Sequence, residues 1–296
     1  MNSSNAPVIN RRRLLTACFC GGTLSWLGLA GRASAQECGQ VLGVGARSAF
    51  TKVISADQVE QAAAQQYLQL KKEAGSKRAL APANHPQLVR LRAIGERIVP
   101  LAMECNPRAK RWQWEFNLVA SNQINAFCMP GGKIAFYSGI LENLRLTDDE
   151  VAMIMGHEIA HALQEHAREQ MGKSMATRGV IEIGAALLGL GGGGRLLGDL
   201  GGQLLSLKFG RDDETEADRI GLVLGARAGY DPSAGVTLWG KMAAASKGAP
   251  PQFLSTHPSS PSRIKDIQAA LTKVGPLYER AAKPAQRFQA AAPRGG

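Results

Sequence analysis

Two pairs of residues, each spaced four apart, constrain what this chain can fold into. The first is the H-E-x-x-H run His157-Glu158-Ile159-Ala160-His161. The second is Glu214 with Asp218, in Glu214-Thr215-Glu216-Ala217-Asp218. Four residues advance an α-helix by about 400°, so the members of each pair share one face, about 6 Å apart along the axis. Two imidazoles so placed suit adjacent positions on a tetrahedral Zn²⁺, and Glu158 can reach a water on that ion as a proton acceptor. In the acidic pair, one carboxylate can bind the ion while the other accepts a hydrogen bond from a ligand imidazole. By helical phase Glu216 points elsewhere. Two His and one Glu leave a fourth position for water, which marks catalytic rather than structural zinc. The fold must then bring two helices face to face.

Taken alone, each pair has a bland reading, a solvated face on a surface helix. The context of the first pair argues against it. Thr147 and Glu150 form a capping-box pattern, and Asp148 and Asp149 complement a helix N-terminus. Val151, Ile154, Met155 and Ile159 make the helix apolar and core-facing, where an unpartnered His or Glu would be costly. This helix is expected to continue to about Gln170. His166 would then lie half a turn away from His157 and serve as a cap or surface contact.

Periodicity and turn residues organise the rest as α+β, mostly helical, with a small antiparallel sheet. Ser55 and Gln58 form another capping box, opening a helix to about Glu73. A second helix begins near Pro86, with Leu88, Leu91, Ile94 and Ile98 on one stripe, and Pro100 should end or kink it. Trp112–Ala120, Ile124–Cys128 and Lys133–Ser138 read as strands, the last two flanking Pro130-Gly131-Gly132. Residues 179–204 read as a short helix and a mobile apolar loop. Helices are expected over Asp212–Ala228, from Pro232 to Ala245 and over Pro261–Lys273, with a loop over Ser246–Ser260 and a disordered tail after Pro276.

The formal charge of +11 invites a nucleic-acid reading until its location is examined. Arg11, Arg12 and Arg13 precede an uncharged stretch from Leu14 to Gly31, and Ala33-Ser34-Ala35 follows as a small-residue cleavage pattern. That order is a secretory signal peptide over residues 1–35, and its paired arginines resemble a twin-arginine signal. An uncleaved membrane anchor is the alternative. Cleavage leaves 31 basic and 24 acidic residues with no basic-aromatic interleaving, so nucleic acid is not an expected partner. Peripheral association with a membrane surface stays open. Cys38, Cys105 and Cys128 remain, enough for one bridge in an oxidising compartment. Cys105–Cys128 is the preferred pair, and buried free thiols are equally open.

H-E-x-x-H followed downstream by E-x-E-A-D-R-x-G resembles the HtpX and CAAX-prenyl-protease type of zinc metallopeptidase, a gluzincin family. The closer likeness is to its soluble periplasmic, BepA-like members. Asn125-Ala126-Phe127-Cys128-Met129-Pro130-Gly131-Gly132, Tyr137-Ser138-Gly139-Ile140-Leu141, Gly229-Tyr230-Asp231-Pro232 and Thr256-His257-Pro258 with Arg263 are similar to further family segments. The resemblance spans most of residues 86–270 and implies a zincin-like metallopeptidase domain within 36–275, without the repeat domain of BepA-like proteins. It implies His157, His161 and Glu214 as ligands of one Zn²⁺, Glu158 as base and Asp218 as the partner of a ligand histidine. It places His257 and Arg263 near the metal, steadying the oxyanion or blocking the site at rest. It makes the strand with Asn125, Ala126 and Phe127 the edge that receives substrate backbone. Cys128 replaces the family's usual alanine, and Gly210-Arg211 stands where members often have Ser-Arg. The implied activity is an exported metalloendopeptidase acting on unfolded or misassembled envelope proteins. A chaperone-like or scaffold role with latent proteolysis is the rival reading.

Overall fold

Helix α1 (Ala56–Ser76) begins where the capping box predicts: the Ser55 hydroxyl accepts from the Gln58 N–H at 3.2 Å, and the Gln58 side chain accepts from the Ser55 N–H at 3.3 Å. The computed structural model describes residues 42–45, 47–187, 204–246, 251–258 and 261–292. The expected export signal, Cys38 and the Gly191–Gly194 run lie outside these residues. Helix α2 (Pro86–Cys105) starts with Pro86 behind a His85 cap, whose ring nitrogen accepts from the Gln87 N–H at 3.2 Å. It runs through Pro100 rather than ending there. Pro100 and Glu96 are both exposed, so the carbonyl that Pro100 leaves unbonded meets water instead of core.

Three strands follow: β1 (Glu115–Val119), β2 (Ala126–Met129) and β3 (Lys133–Tyr137). β2 and β3 form an antiparallel hairpin, with Gly131 and Gly132 at φ +85° and +76° in its turn. A side chain at Gly132 would meet the Trp114 ring at 2.8 Å, so glycine is required there for space as well as conformation. β3 inserts between its neighbours, giving the order β1-β3-β2, and pairs with β1 in parallel. The sheet is therefore mixed, not antiparallel as expected. The chain reverses between β1 and β2 and again in the hairpin turn, so β3 returns in the direction of β1. Among the described residues this order leaves β2 on an edge.

The short helix α3 (Ser138–Asn143) leads to α4 (Asp148–Leu163), opened by the Thr147–Glu150 capping box. α4 stops at Leu163 instead of reaching Gln170 because Glu165 adopts a left-handed conformation, φ +62°. A new helix, α5 (His166–Leu187), starts from there. After the undescribed stretch come α6 (Arg211–Arg227), α7 (Ala234–Ala245), the short α8 (Gln252–Thr256) and α9 (Pro261–Arg280). α8 occupies part of the expected 246–260 loop.

α4 and α6 cross at two glycines. A Cβ on Gly156 would lie 2.8 Å from the Gly221 carbonyl oxygen, and one on Gly221 would lie 2.7 Å from the His157 nitrogen. Backbone thus meets backbone, and the two functional faces are drawn together. The main core is built from α2, the sheet, α4, α6 and α7, with Leu91, Ile94, Phe136, Ile159 and Leu224 fully buried.

The chain after Pro276, expected to be disordered, continues as helix to Arg280 and then packs along the body. Arg97 donates to the carbonyls of Ala228 and Ala282, Arg287 pairs with Asp149 at 2.8 Å, and the Phe288 N–H donates to Asp148 at 2.8 Å. Residues 281–292 are held there because the acidic N-terminus of α4 supplies acceptors for this segment. No helix among the described residues is long and apolar enough to cross a membrane. Cys105 is disulfide-bonded and Cys128 is a buried free thiol, so the expected Cys105–Cys128 pair is not formed. Cys128 instead sits within β2, in the wall of the cleft that holds Glu158.

Candidate metal centre

The i, i+4 geometry of α4 and α6 brings His157, His161 and Glu214 together, all buried. The Nε2 atoms of His157 and His161 are 3.1 Å apart. The Glu214 carboxylate lies 3.4 Å from His161 Nε2 and 3.6 Å from His157 Nε2. Asp218, one turn beyond Glu214, faces the other nitrogen of His157, Nδ1, at 3.0 Å. This is the arrangement expected of a carboxylate that fixes a ligand imidazole's tautomer. Gly210 opens α6, its N–H donating to Asp213 at 2.8 Å, and Asp212, Asp213 and Glu214 sit in the first turn, where the helix dipole favours negative charge.

His257 completes the cluster. Its segment is clipped at both ends: the Phe253 N–H donates to the Ile124 carbonyl, and the Phe209 N–H donates to that of Thr256, each at 3.1 Å. The His257 ring stacks on Phe253 and sets Nδ1 2.9 Å from Glu214 and 3.3 Å from His157 Nε2. One atom from each of His157, His161, Glu214 and His257 falls within a 4.8 Å span. The fourth position, read from the sequence as open for water, has an imidazole beside it.

Arg263, on α9, binds both oxygens of Asp218, at 2.5 and 2.8 Å, and Glu214 at 2.5 Å, with its guanidinium 3.5 Å from the Trp239 ring centre. It is buried with them. Burial opposes ionisation of the acids, but the charges around them win at two positions. His257, His161 and His157 hold Glu214 well below the carboxylate range, and Arg263 and His157 hold Asp218 below it. Glu158 differs: burial pushes it up despite His257 and His157. Burial pushes His161 well down, towards the neutral imidazole that metal coordination needs.

These donors fit a divalent ion that prefers nitrogen and oxygen. Buried Glu158 Oε1 has no hydrogen-bond partner among the described residues, its nearest basic neighbour being His257 Nε2 at 3.6 Å. A carboxylate so placed beside a metal could exchange a proton with a water between them.

Ala126 and Phe127 lie on the edge strand β2, with Asn125 just before it. Together they line a cleft that also contains Cys128, Glu158, His161, Leu207 and Phe209. Edge-strand backbone and the base therefore share one cavity. The sequence reading missed three side chains. Phe209 stacks on His161, with centroids 4.1 Å apart, and Trp239 carries Arg263. His166 is not on the surface: it is buried, 2.9 Å from His161. Extending α4 as one straight helix hid it, since the break at Glu165 turns His166 back towards the centre.

Comparison with known proteins settles the class. The model of peptidase family M48 matches residues 87–271. The chain belongs to peptidase family M48. This membership agrees with the metal-dependent peptide-bond hydrolase read from the motifs. Among relatives of this M48 chain, the mitochondrial metalloendopeptidase OMA1 of Schizosaccharomyces pombe is 34% identical over 225 residues, covering 73% of this chain and 61% of its own. The β-barrel assembly-enhancing protease of Escherichia coli K12 is 31% identical, covering 66% of this chain and 41% of its own. Metalloprotease LoiP of the same organism is 29% identical, covering 69% and 78%. The chain thus spans less than two thirds of the length of OMA1 and of the assembly-enhancing protease.

Proposed function

We propose that this M48 chain is an exported zinc metalloendopeptidase of the periplasmic, BepA-like type, acting in envelope protein quality control. The observation that carries the proposal is the buried meeting of His157, His161 and Glu214 beside Glu158, at the inner wall of a cleft bounded by an edge strand. In this reading His157, His161 and Glu214 hold Zn²⁺. The ion supplies Lewis acidity that brings the pKa of a water to roughly 7. Glu158 accepts the proton of the attacking water and passes it to the leaving amine. Asp218 keeps His157 in its binding tautomer. Substrate backbone adds to the edge at Asn125, Ala126 and Phe127, which orients the scissile bond towards Glu158. With His257 displaced from the ligand cluster, it and Arg263 are placed to steady the oxyanion.

Export follows from the signal read over residues 1–35, with twin-arginine translocation as the route and the peptidase body beginning at residue 36. The names of the β-barrel assembly-enhancing relatives support unfolded or misassembled envelope proteins as substrates, and the net basic charge supports peripheral contact with an anionic membrane surface. The decisive experiment measures zinc content and casein cleavage of the purified protein, with and without chelator, alongside Glu158→Gln. Zinc bound in both proteins, with chelator-sensitive cleavage in the wild type alone, is expected. Equal cleavage by the variant would overturn the mechanism, and recovery of the protein in the cytoplasm alone on cell fractionation would overturn export.

The position of His257 among the ligands favours one second reading, a chaperone-like or scaffold role with latent proteolysis. An envelope defect in a deletion strain that Glu158→Gln fully corrects would select it.

A further inference from the structure

The two ligand histidines of the proposed centre look unequally supported. His157 has a carboxylate, Asp218, on its Nδ1. Among the described residues, His161 has none in direct contact at Nδ1. His161 Nε2 faces His157 and Glu214, so Nδ1 is the nitrogen left over when Nε2 binds a metal, and it must then carry a hydrogen and find an acceptor. Its partner is Nδ1 of His166, 2.9 Å away. The far nitrogen of His166, Nε2, faces the Glu216 carboxylate at 3.4 Å.

We infer that His166 and Glu216 are positioning residues for the metal ligand His161, forming a carboxylate–imidazole relay that does for His161 what Asp218 does directly for His157. The inference rests on the metal reading above. Only one arrangement of hydrogens satisfies every nitrogen with a metal bound and both rings neutral. His161 Nδ1–H donates to His166 Nδ1. His166 then carries its own hydrogen on Nε2 and donates it to Glu216. The alternative is a buried imidazole pair that merely fills space. It does not account for a carboxylate at the outer end, aligned with the second nitrogen. Nor does it account for a left-handed Glu165, held by ion pairs to Arg168 and Arg47, that starts α5 with His166 turned inward. Glu216 is partly exposed and on α6, so α6 serves both ligand histidines of α4, through Asp218 on one face and Glu216 on another.

The test is zinc affinity, measured by chelator competition on the purified protein. His166→Phe removes the acceptor, His166→Asn keeps an acceptor near the Nδ1 position, and Glu216→Ala removes the outer carboxylate. His166→Phe should weaken zinc binding by about 10- to 100-fold, and His166→Asn should recover most of that loss. Glu216→Ala should weaken it by a few-fold, with the thermal melt of its metal-free form unchanged. Cobalt-substituted His166→Phe should show a shifted visible spectrum. If His166→Phe folds and binds zinc like the wild type, or if His166→Asn is as weak as His166→Phe, the relay is wrong. Glu216→Ala at wild-type affinity overturns it as well, even if His166→Phe fails to fold. A wild-type protein that binds no zinc would sink the metal reading itself, a separate failure from these.

Discussion

At the scale of single residues, the centre is held by charges that neutralise one another out of water. Arg263 touches both carboxylates of α6 and rests on Trp239. Replacing it with Ala removes the cation that pairs with buried Glu214 and Asp218, and the metal-free protein should lose about 3–5 kcal/mol. Chemical denaturation with and without zinc checks this, since a bound cation should restore part of the loss. Glu158→Gln changes neither shape nor packing, so zinc content and melting should hold while casein cleavage falls by at least about 10²-fold. The five residues on the α4 and α6 faces were legible in the sequence because spacing alone puts them on two helix faces. His166 was not. Its role depends on one left-handed residue, Glu165, a glutamate that nothing in the local sequence marks as a helix breaker.

Among elements, the crossing of α4 and α6 decides the geometry, and it depends on Gly156 and Gly221. Gly221→Ala would push a methyl to 2.7 Å from the His157 backbone. It should cost about 1–3 kcal/mol and weaken zinc binding by separating the ligand faces. Gly240 is the control: it is exposed within α7, and a Cβ there meets nothing within 4 Å among the described residues. Gly240→Ala should stabilise by up to about 1 kcal/mol, read in the same melts. The capping boxes at Ser55 and Thr147 were readable because they are local hydrogen bonds between residues three apart. The mixed sheet was not, because strand order is set by which strand the hairpin slides beside, a long-range choice with no signature in the strands themselves.

For the whole molecule, the surprise is the C-terminal segment. Its Ala, Pro and Arg composition reads as disorder, yet it lies against the acidic start of α4. The partner carboxylates, Asp148 and Asp149, are far away in sequence, so composition could not reveal the fit. Asp148 also anchors buried Arg90, tying α2, α4 and the tail at one point. Deleting residues 281–296 should lower stability by roughly 2–3 kcal/mol, chiefly through loss of the backbone donor to Asp148, with zinc affinity little changed. Thermal melts of the two lengths check it. The free thiol of Cys128, in the wall of the cleft, has a use of its own. Burial keeps Cys128 protonated and slow to react, and it shares its cavity with Glu158. Any motion that admits a polypeptide to that cavity must also admit a small alkylating reagent. The rate at which Cys128 is labelled is thus a clock for opening, already built into the chain.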